Sequence, residues 1–207
     1  MDINLLTISF VGVFKTPLPM IQQLDPEFCR NIFHSPENTV SGFTPAAGFV
    51  IRLNTAPAPL INISLDKFII VARNIDELFE YIEAIRPVVP EYEYQAYGLN
   101  RDIECLNVPT HNISIWMHEH FIQNKYKIGS RFNACSRFNL QFDVEEHEIL
   151  NLDFEPRAGV ANGLFVAVNH HNVYPIIGFP PLEELQKLYN SSEEKVNNYL
   201  KIVCQDE

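Results

Sequence analysis

Alternation of apolar and polar residues limits the fold of this chain more than any other sequence feature. It is clearest between Arg137 and Val144, where every second residue is apolar. A period of two places the apolar side chains on one face of a β-strand, and a strand buried on one face only is typical of antiparallel sheet. A second alternating segment, residues 91 to 106, changes phase near Gly98, which predicts a bulge or bend there.

Other segments have the period of an amphipathic helix. Asn74 and Glu77 form a capping box in front of an apolar stripe that Pro87 ends, which predicts a helix between them. Residues 112 to 125 predict a second helix. The C-terminal region predicts two helices or one kinked helix, because a second capping box interrupts the stripe near Ser191.

Strands followed by a helix occur twice along the chain. This order predicts an α+β fold of antiparallel sheet with helices packed on one face, and it suggests two similar strand-strand-helix halves, residues 1–108 and 109–207. The length of 207 residues suits a single domain spanning 1–207. Residues 15–48 contain several prolines and no sustained period, so we expect a long loop there, with a short helix from Asp25 to Phe33.

The composition favours an acidic cytoplasmic protein without a nucleic-acid or membrane partner. The formal net charge is −11 and only 15 residues are basic, whereas phosphate binding needs clustered Lys and Arg. No apolar run approaches the ~18 residues that span a bilayer. The four cysteines form no Cys-x-x-Cys pair and the N-terminus has no basic segment of a secretion signal, so we expect reduced thiols. Without a phosphate-cradling Gly-rich loop, no cofactor is expected.

Six of the seven histidines fall between residues 111 and 171, close to several carboxylates. Such clustering is a requirement of a metal-dependent hydrolase or nuclease, and it gives the candidate catalytic residues His118, His120, His147, His170 and His171. The spacing opposes this interpretation. His118 and His120 lie about 200° apart on a helix. His170 and His171, the candidate metal ligands, point to opposite faces of a strand, so only one of them could join a single site.

One arrangement resembles a known family. Ile63-Ser64-Leu65-Asp66-Lys67, the capped helix after it and Tyr97-Gly98-Leu99-Asn100-Arg101-Asp102-Ile103 are similar to a sporadically distributed bacterial family of uncharacterised α+β proteins. In that family a strand, a helix and a second strand with a Tyr-x-Asn element follow in this order. The resemblance covers the middle third of the chain, which has Gly-Leu-Asn-Arg where the family has Arg-Tyr-x-Asn. The resemblance implies an α+β fold and gives no indication of an activity.

The sequence therefore favours a non-enzymatic protein-interaction or assembly subunit of a bacterial or phage system, with a protein partner or as a homo-oligomer. Phe28, Phe33 and Phe43 of the long loop are the candidate interaction residues, because aromatic side chains are enriched at interfaces. The metal-dependent hydrolase is one alternative. The other is a small-ligand-binding protein whose pocket between the halves would be lined by Tyr92, Tyr94, Tyr97 and Trp116.

Overall fold

The protein forms one ten-stranded sheet with four α-helices within the residues that its computed structural model describes, which are 2–21, 23–44, 48–54, 59–110, 112–118 and 137–204. The strands are β1 (Asp2–Phe14), β2 (Thr39–Thr44), β3 (Gly48–Leu53), β4 (Leu60–Ile63), β5 (Lys67–Ala72), β6 (Glu93–Leu106), β7 (Phe138–Glu145), β8 (Glu148–Pro156), β9 (Leu164–Asn172) and β10 (Ile176–Ile177). The helices are α1 (Pro26–Asn31), α2 (Ile75–Ile85), α3 (Ile113–Met117) and α4 (Leu182–Cys204). The predicted α+β class is confirmed.

The strands lie in the order β2-β3-β4-β5-β1-β6-β9-β8-β7, and β10 pairs with β6. Every one of these pairs is antiparallel. The two longest strands, β1 and β6, therefore lie side by side in the middle. None of the helices in the described part of the chain is both long and apolar enough to cross a bilayer.

A bulge in β6 changes the phase of the strand. The register against β1 shifts between Val13, which pairs with Ala96, and Phe14, which pairs with Tyr94. As a result Tyr94 and Tyr97 are both buried although they lie three positions apart, an odd offset that would place them on opposite faces of a regular strand. The change of phase predicted near Gly98 is confirmed, and its position is two to three residues earlier in the strand.

One face of the sheet carries the buried side chains, which form two clusters. The first contains residues of β1, β3, β4, β5 and the start of β6, together with residues of α1, α2 and the first turns of α4. The second contains residues of the end of β6, of β8 and β9, and of α3 and the later turns of α4. Because α4 contributes Leu185 to the first cluster and Leu200 to the second, it joins the two.

Arg101 lies on the buried face in the middle of β6, between the residues of the two clusters. Its guanidinium group donates to the hydroxyl of Ser192 at 2.9 Å and lies 5.1 Å from the centre of the Tyr189 ring. Only 3% of Arg101 is exposed, and burial lowers the pKa of its guanidinium because the charged form loses solvation. This polar contact fixes the position of α4 relative to β6.

The helix predictions are confirmed in part. Asn74 caps α2 through its side-chain oxygen, which accepts from the amide of Glu77, as the capping box predicts. Helix α4 is continuous through Ser191, so the two-helix alternative is wrong. The neighbouring Ser192 donates to the carbonyl of Tyr189 within the helix, and this bond is compatible with helical geometry.

Two other predicted segments differ from the structure in extent. The segment predicted as a long loop, residues 15–48, contains α1 and β2. Of the helix predicted for residues 112–125, the structure describes α3, and residues 119–125 lie outside the described residues. The two similar halves stay a prediction.

Replacement of Gly98 by alanine should destabilise the protein by about 1–3 kcal/mol, because overpacking forces the backbone to move. A Cβ atom at Gly98 would meet the backbone of β9, 2.6 Å from the Cα of His171. A Cβ atom at Gly42 would meet nothing within 4 Å, so Gly42→Ala is the matched control. Urea unfolding monitored by circular dichroism measures both variants. Equal stability of the two would contradict the close approach of β6 and β9.

Candidate functional site

The end of β9 presents different polar residues to the two faces of the sheet. His170 and Asn172 are buried on the face that holds the core, whereas Asn169 and His171 lie on the other face. This follows from strand geometry, in which successive side chains alternate. The predicted divergence of the two adjacent histidines is confirmed, and the site has to be described one face at a time.

On the buried face, both ring nitrogens of His170 contact protein atoms. Nδ1 donates to the carbonyl oxygen of Leu188 in α4 at 3.0 Å, because a carbonyl oxygen can only accept. Nε2 lies 2.5 Å from Oε1 of Glu148 in β8, and a hydrogen bond there needs one proton between the two atoms. His170 thus joins β9 to β8 and to α4.

Burial lowers the pKa of His170, since the imidazolium form would lose its solvation. The Leu188 carbonyl and the Glu148 carboxylate act in the opposite direction, and their effect is smaller. Burial also lowers the pKa of His171 on the other face, with a further contribution from His170. Burial thus opposes protonation of both rings.

A second polar group lies next to His170 on the buried face and consists of Tyr97, Asn172, Tyr174 and Glu184. Tyr174 donates to Oε1 of Glu184 at 2.6 Å, and Tyr97 donates to the same oxygen. Asn172 donates through Nδ2 to the hydroxyl oxygen of Tyr97 at 2.9 Å. Burial and the Glu184 carboxylate raise the pKa of Tyr97, so its hydroxyl keeps its proton and remains a donor.

Three of these residues, Asn172, Tyr174 and Glu184, line an acidic pocket of about 310 Å³. Its lining is Glu145, Glu146, Glu148, Asn172, Tyr174, Glu184, Lys187, Leu188 and Ser191. Four carboxylates against one ammonium group give the pocket a negative potential, which attracts cations. No three His, Cys, Asp or Glu side chains in the described part of the chain lie close enough together to hold a metal ion.

The other face of the sheet, which we call the outer face, carries a row of carboxamide side chains. Asn100 of β6 pairs with Asn169 of β9, which pairs with Asn151 of β8, and this residue pairs with Gln141 of β7. On the opposite side Asn100 pairs with Ser9 of β1. Residues directly opposite each other in neighbouring strands lie on one face, so the row crosses five strands.

From β1 towards β3 the outer face carries aliphatic side chains, with Asn62, Lys67 and Arg52 among them. Val11 pairs with Ile69, and Leu60 pairs with Val71, and all four side chains are half-buried. Between the aliphatic and the carboxamide parts lies a pocket of about 510 Å³, whose floor is the backbone of Gly98. Its lining is Val11, Val13, Gln95, Ala96, Tyr97, Gly98, Asn100, Asn169, His171 and Val173.

The structure does not bring the described candidate histidines together. His118 is the C-cap of α3, and His147 lies at a positive φ of 69° in the turn between β7 and β8. His170 contacts the carboxylate of Glu148, whereas His171 lies across the sheet with Nδ1 2.9 Å from the Asn169 side-chain oxygen. His120 lies outside the described residues.

The candidate aromatic residues divide between the surface and the core. Phe43 of β2 is 49% exposed, Phe28 is partly buried against the first cluster, and Phe33 is buried against Tyr81. Phe33 is therefore not accessible to a partner. The proposed lining of a ligand pocket lies in the hydrophobic clusters, because the following side chains are all buried: Tyr92, Tyr94, Tyr97 and Trp116.

Sequence reasoning missed the carboxamide row and the phenol–carboxylate group. The alternation in β6 and β9 does place Asn100 and Asn169 away from the core, and this was the available signal. Which residues become neighbours depends on strand order and register, and neither is visible in one strand. Tyr174 and Glu184 fall in no motif.

No family model matches the chain, and no curated protein or solved structure is significantly similar to it. The resemblance to the bacterial family stays a prediction.

Replacement of Tyr97 by phenylalanine should destabilise the protein by about 1–3 kcal/mol, because the buried amide of Asn172 loses its acceptor. Tyr174→Phe is the matched control. It removes a bond to the same carboxylate oxygen from a residue that is 36% exposed, so the expected loss is below about 1 kcal/mol. Chemical denaturation at pH 7 measures both. If Tyr174→Phe lost as much stability as Tyr97→Phe, or more, the buried hydroxyl of Tyr97 would contribute no more to stability than the exposed hydroxyl of Tyr174.

The lowered pKa of His170 predicts a pH-dependent stability. An unfolded histidine has a pKa of about 6.5, so below that pH the unfolded chain binds a proton that the folded protein excludes. The stability from this group is present above about pH 6.5 and is lost as the pH falls, by at most ~1.4 kcal/mol per pH unit.

Denaturant unfolding between pH 7 and pH 5 tests this expectation. The slope of stability against pH should be shallower in His170→Gln than in the wild type. The control Gly42→Ala changes no titratable group, and its Cβ atom would meet nothing within 4 Å, so it should keep the wild-type slope. Identical slopes in all three proteins would contradict a lowered pKa of His170 in the folded protein.

Proposed function

We propose that this protein is a non-enzymatic protein-interaction subunit that binds a partner through the outer face of its sheet. The observation that carries the proposal is the composition of this face, where half-buried aliphatic side chains adjoin a row of uncharged carboxamides. Interfaces of proteins that associate reversibly mix apolar and polar groups in this manner and have few charges at their centre.

The arrangement of the helices supports the proposal. The buried side chains of all four helices within the described residues belong to the two clusters, which lie on the other face of the sheet. We propose that the helices pack on this one face, as the sequence predicts, and that the outer face is available to a partner.

The size of the outer face also suits a protein partner. Seven strands from β3 to β8 at a spacing of ~4.8 Å, with three to four outward residues on each long strand, give an area of about 700–900 Å². A standard interface buries about 800 Å² on each partner. Carboxamides can donate and accept at once, and their desolvation costs less than that of charged groups.

The geometry gives less support to the metal-dependent alternative. A metal site needs a free ring nitrogen, and both nitrogens of His170 contact protein atoms. His171 is separated from it by the sheet. Small-ligand binding is a second candidate, favoured by the 510 Å³ pocket on the outer face, because pockets of 300–1,000 Å³ accommodate small molecules.

We also propose a cytoplasmic location and no direct contact with nucleic acid. Cys29 is a free and buried thiol, which suits a reducing compartment. The net charge of −11 opposes phosphate binding.

Replacement of Ile69 by glutamate tests the outer face. Ile69 lies next to Val11 in the aliphatic part, so a carboxylate there should weaken capture of the partner at least tenfold. Ile177→Glu is the matched control, since Ile177 of β10 is 71% exposed and lies outside this face.

Tagged wild type and both variants serve as baits in an extract of the source cells. The captured protein is identified by mass spectrometry, purified and titrated against all three baits by calorimetry. The proposal requires binding to the wild type and to Ile177→Glu. Equal binding to Ile69→Glu, or no stoichiometric partner, would refute it.

A further inference from the structure

Strand β2 lies at one edge of the sheet. It contains no charged residue, and most of its residues are exposed to solvent. Its sequence is Thr-Val-Ser-Gly-Phe-Thr, and all its residues after Thr39 are exposed. Val40 and Phe43 are 46% and 49% exposed. Natural edge strands are usually protected by charged residues, proline or a bulge, and β2 has none of these.

The strand at the opposite end of the described sheet is different. β7 carries Asp143 and Glu145, and Arg137 precedes it. Its register against β8 also shifts between Asp143 and Glu145. Charges and an irregularity both hinder the addition of another strand, so the two ends of the sheet are not equivalent.

The hydrogen bonds between β2 and β3 show which backbone groups of β2 point outward. The amide of Asn54 donates to the carbonyl of Asn38 at 2.8 Å, and β2 pairs with β3 in the same register. Every second residue from Asn38 onward, including Val40 and Gly42, therefore directs its N–H and C=O groups toward β3. The N–H and C=O groups of Thr39, Ser41 and Phe43 point away from β3, and within the described residues they have no hydrogen-bond partner.

We propose that this edge pairs with β2 of a second copy of the chain, antiparallel, with Ser41 on the two-fold axis. In an antiparallel pair, two opposite residues either both direct their backbone groups toward the partner strand or both direct them away, so an outward odd-numbered residue of one copy faces an odd-numbered residue of the other. With Ser41 opposite Ser41, Thr39 lies opposite Phe43. The three outward residues of each strand then form six backbone hydrogen bonds.

The side chains fit this register. Thr39 and Phe43 make a β-branched and aromatic pair, a combination that stabilises neighbouring strands. Val40 lies opposite Gly42, where a Cβ atom would meet nothing within 4 Å, so there is space for the valine side chain. Two copies of the chain, each with a net charge of −11, repel each other, and the uncharged strand β2 is a part of the surface that adds nothing to this repulsion.

The inference deepens the proposed function by naming a homo-oligomeric contact. It does not depend on the outer face, because Ser41 pairs with the buried Ile51 and its side chain therefore lies on the opposite face. The continuous sheet would place two outer faces side by side in one dimer.

Sedimentation equilibrium between 5 and ~200 µM with the full chain tests the contact. Ser41→Pro removes an N–H group that the sheet itself does not use, so the monomer should keep its fold while dimerisation weakens at least tenfold. Ser41→Ala keeps the N–H group and is the matched control, with a dimer affinity within about threefold of the wild type. Urea unfolding checks that both variants fold.

Charged residues on the axis give an independent test. Ser41→Lys places two ammonium groups opposite each other, and Ser41→Glu places two carboxylates, so each variant alone should be monomeric. An equimolar mixture should form a heterodimer, and high salt should weaken it. A monomeric wild type at 200 µM, or dimers that Ser41→Pro does not affect, would overturn the inference. Either result would leave capture of a partner by the outer face unchanged, so the two proposals can fail separately.

Discussion

The structure depends on the central strand β6 and on the bulge within it. β6 pairs with β1 on one side and β9 on the other, and it contributes to both hydrophobic clusters. The bulge lets Tyr94 and Tyr97 both face the core. Without it, Tyr97 would lie on the outer face, and neither its bond with Glu184 nor the position of Asn172 beside it would exist. This bulge therefore decides that Tyr97 lies on the buried face together with Tyr94.

The alternation in β9 has a chemical consequence because the two faces differ in their surroundings. His170 lies in a closed environment, where β8 and α4 occupy both of its nitrogens and burial disfavours the charged ring. Its neighbour His171 lies on an open surface among carboxamides. Two adjacent residues of the same type thus have separate tasks. His170 joins secondary-structure elements, and His171 contributes to a surface.

Local sequence patterns predicted the local features of this fold well. The α+β class, the cap of α2 at Asn74 and the separation of His170 from His171 all follow from periods of 2 or 3.6 residues, which depend on the chain alone. The carboxamide row depends on strand order, because Asn100, Asn151 and Asn169 come from three strands. The acidic pocket likewise combines residues of separate secondary-structure elements. The sequence left open whether the C-terminal region forms one helix or two, because tertiary packing, with Arg101 against Ser192, outweighs a local capping signal.

The edge and the outer face are linked by the same physical constraint. The antiparallel sheet has an outer face and two edges that must be stabilised in some other way than by the core, since unpaired backbone groups and half-buried aliphatic side chains both carry a cost in water. The chain protects the β7 end with charges and leaves the β2 end neutral. Its outer face places carboxamides beside Val11 and Ile69, a composition that remains compatible with water and with a partner. Both surfaces are suited to reversible association, which is the property that an assembly subunit needs.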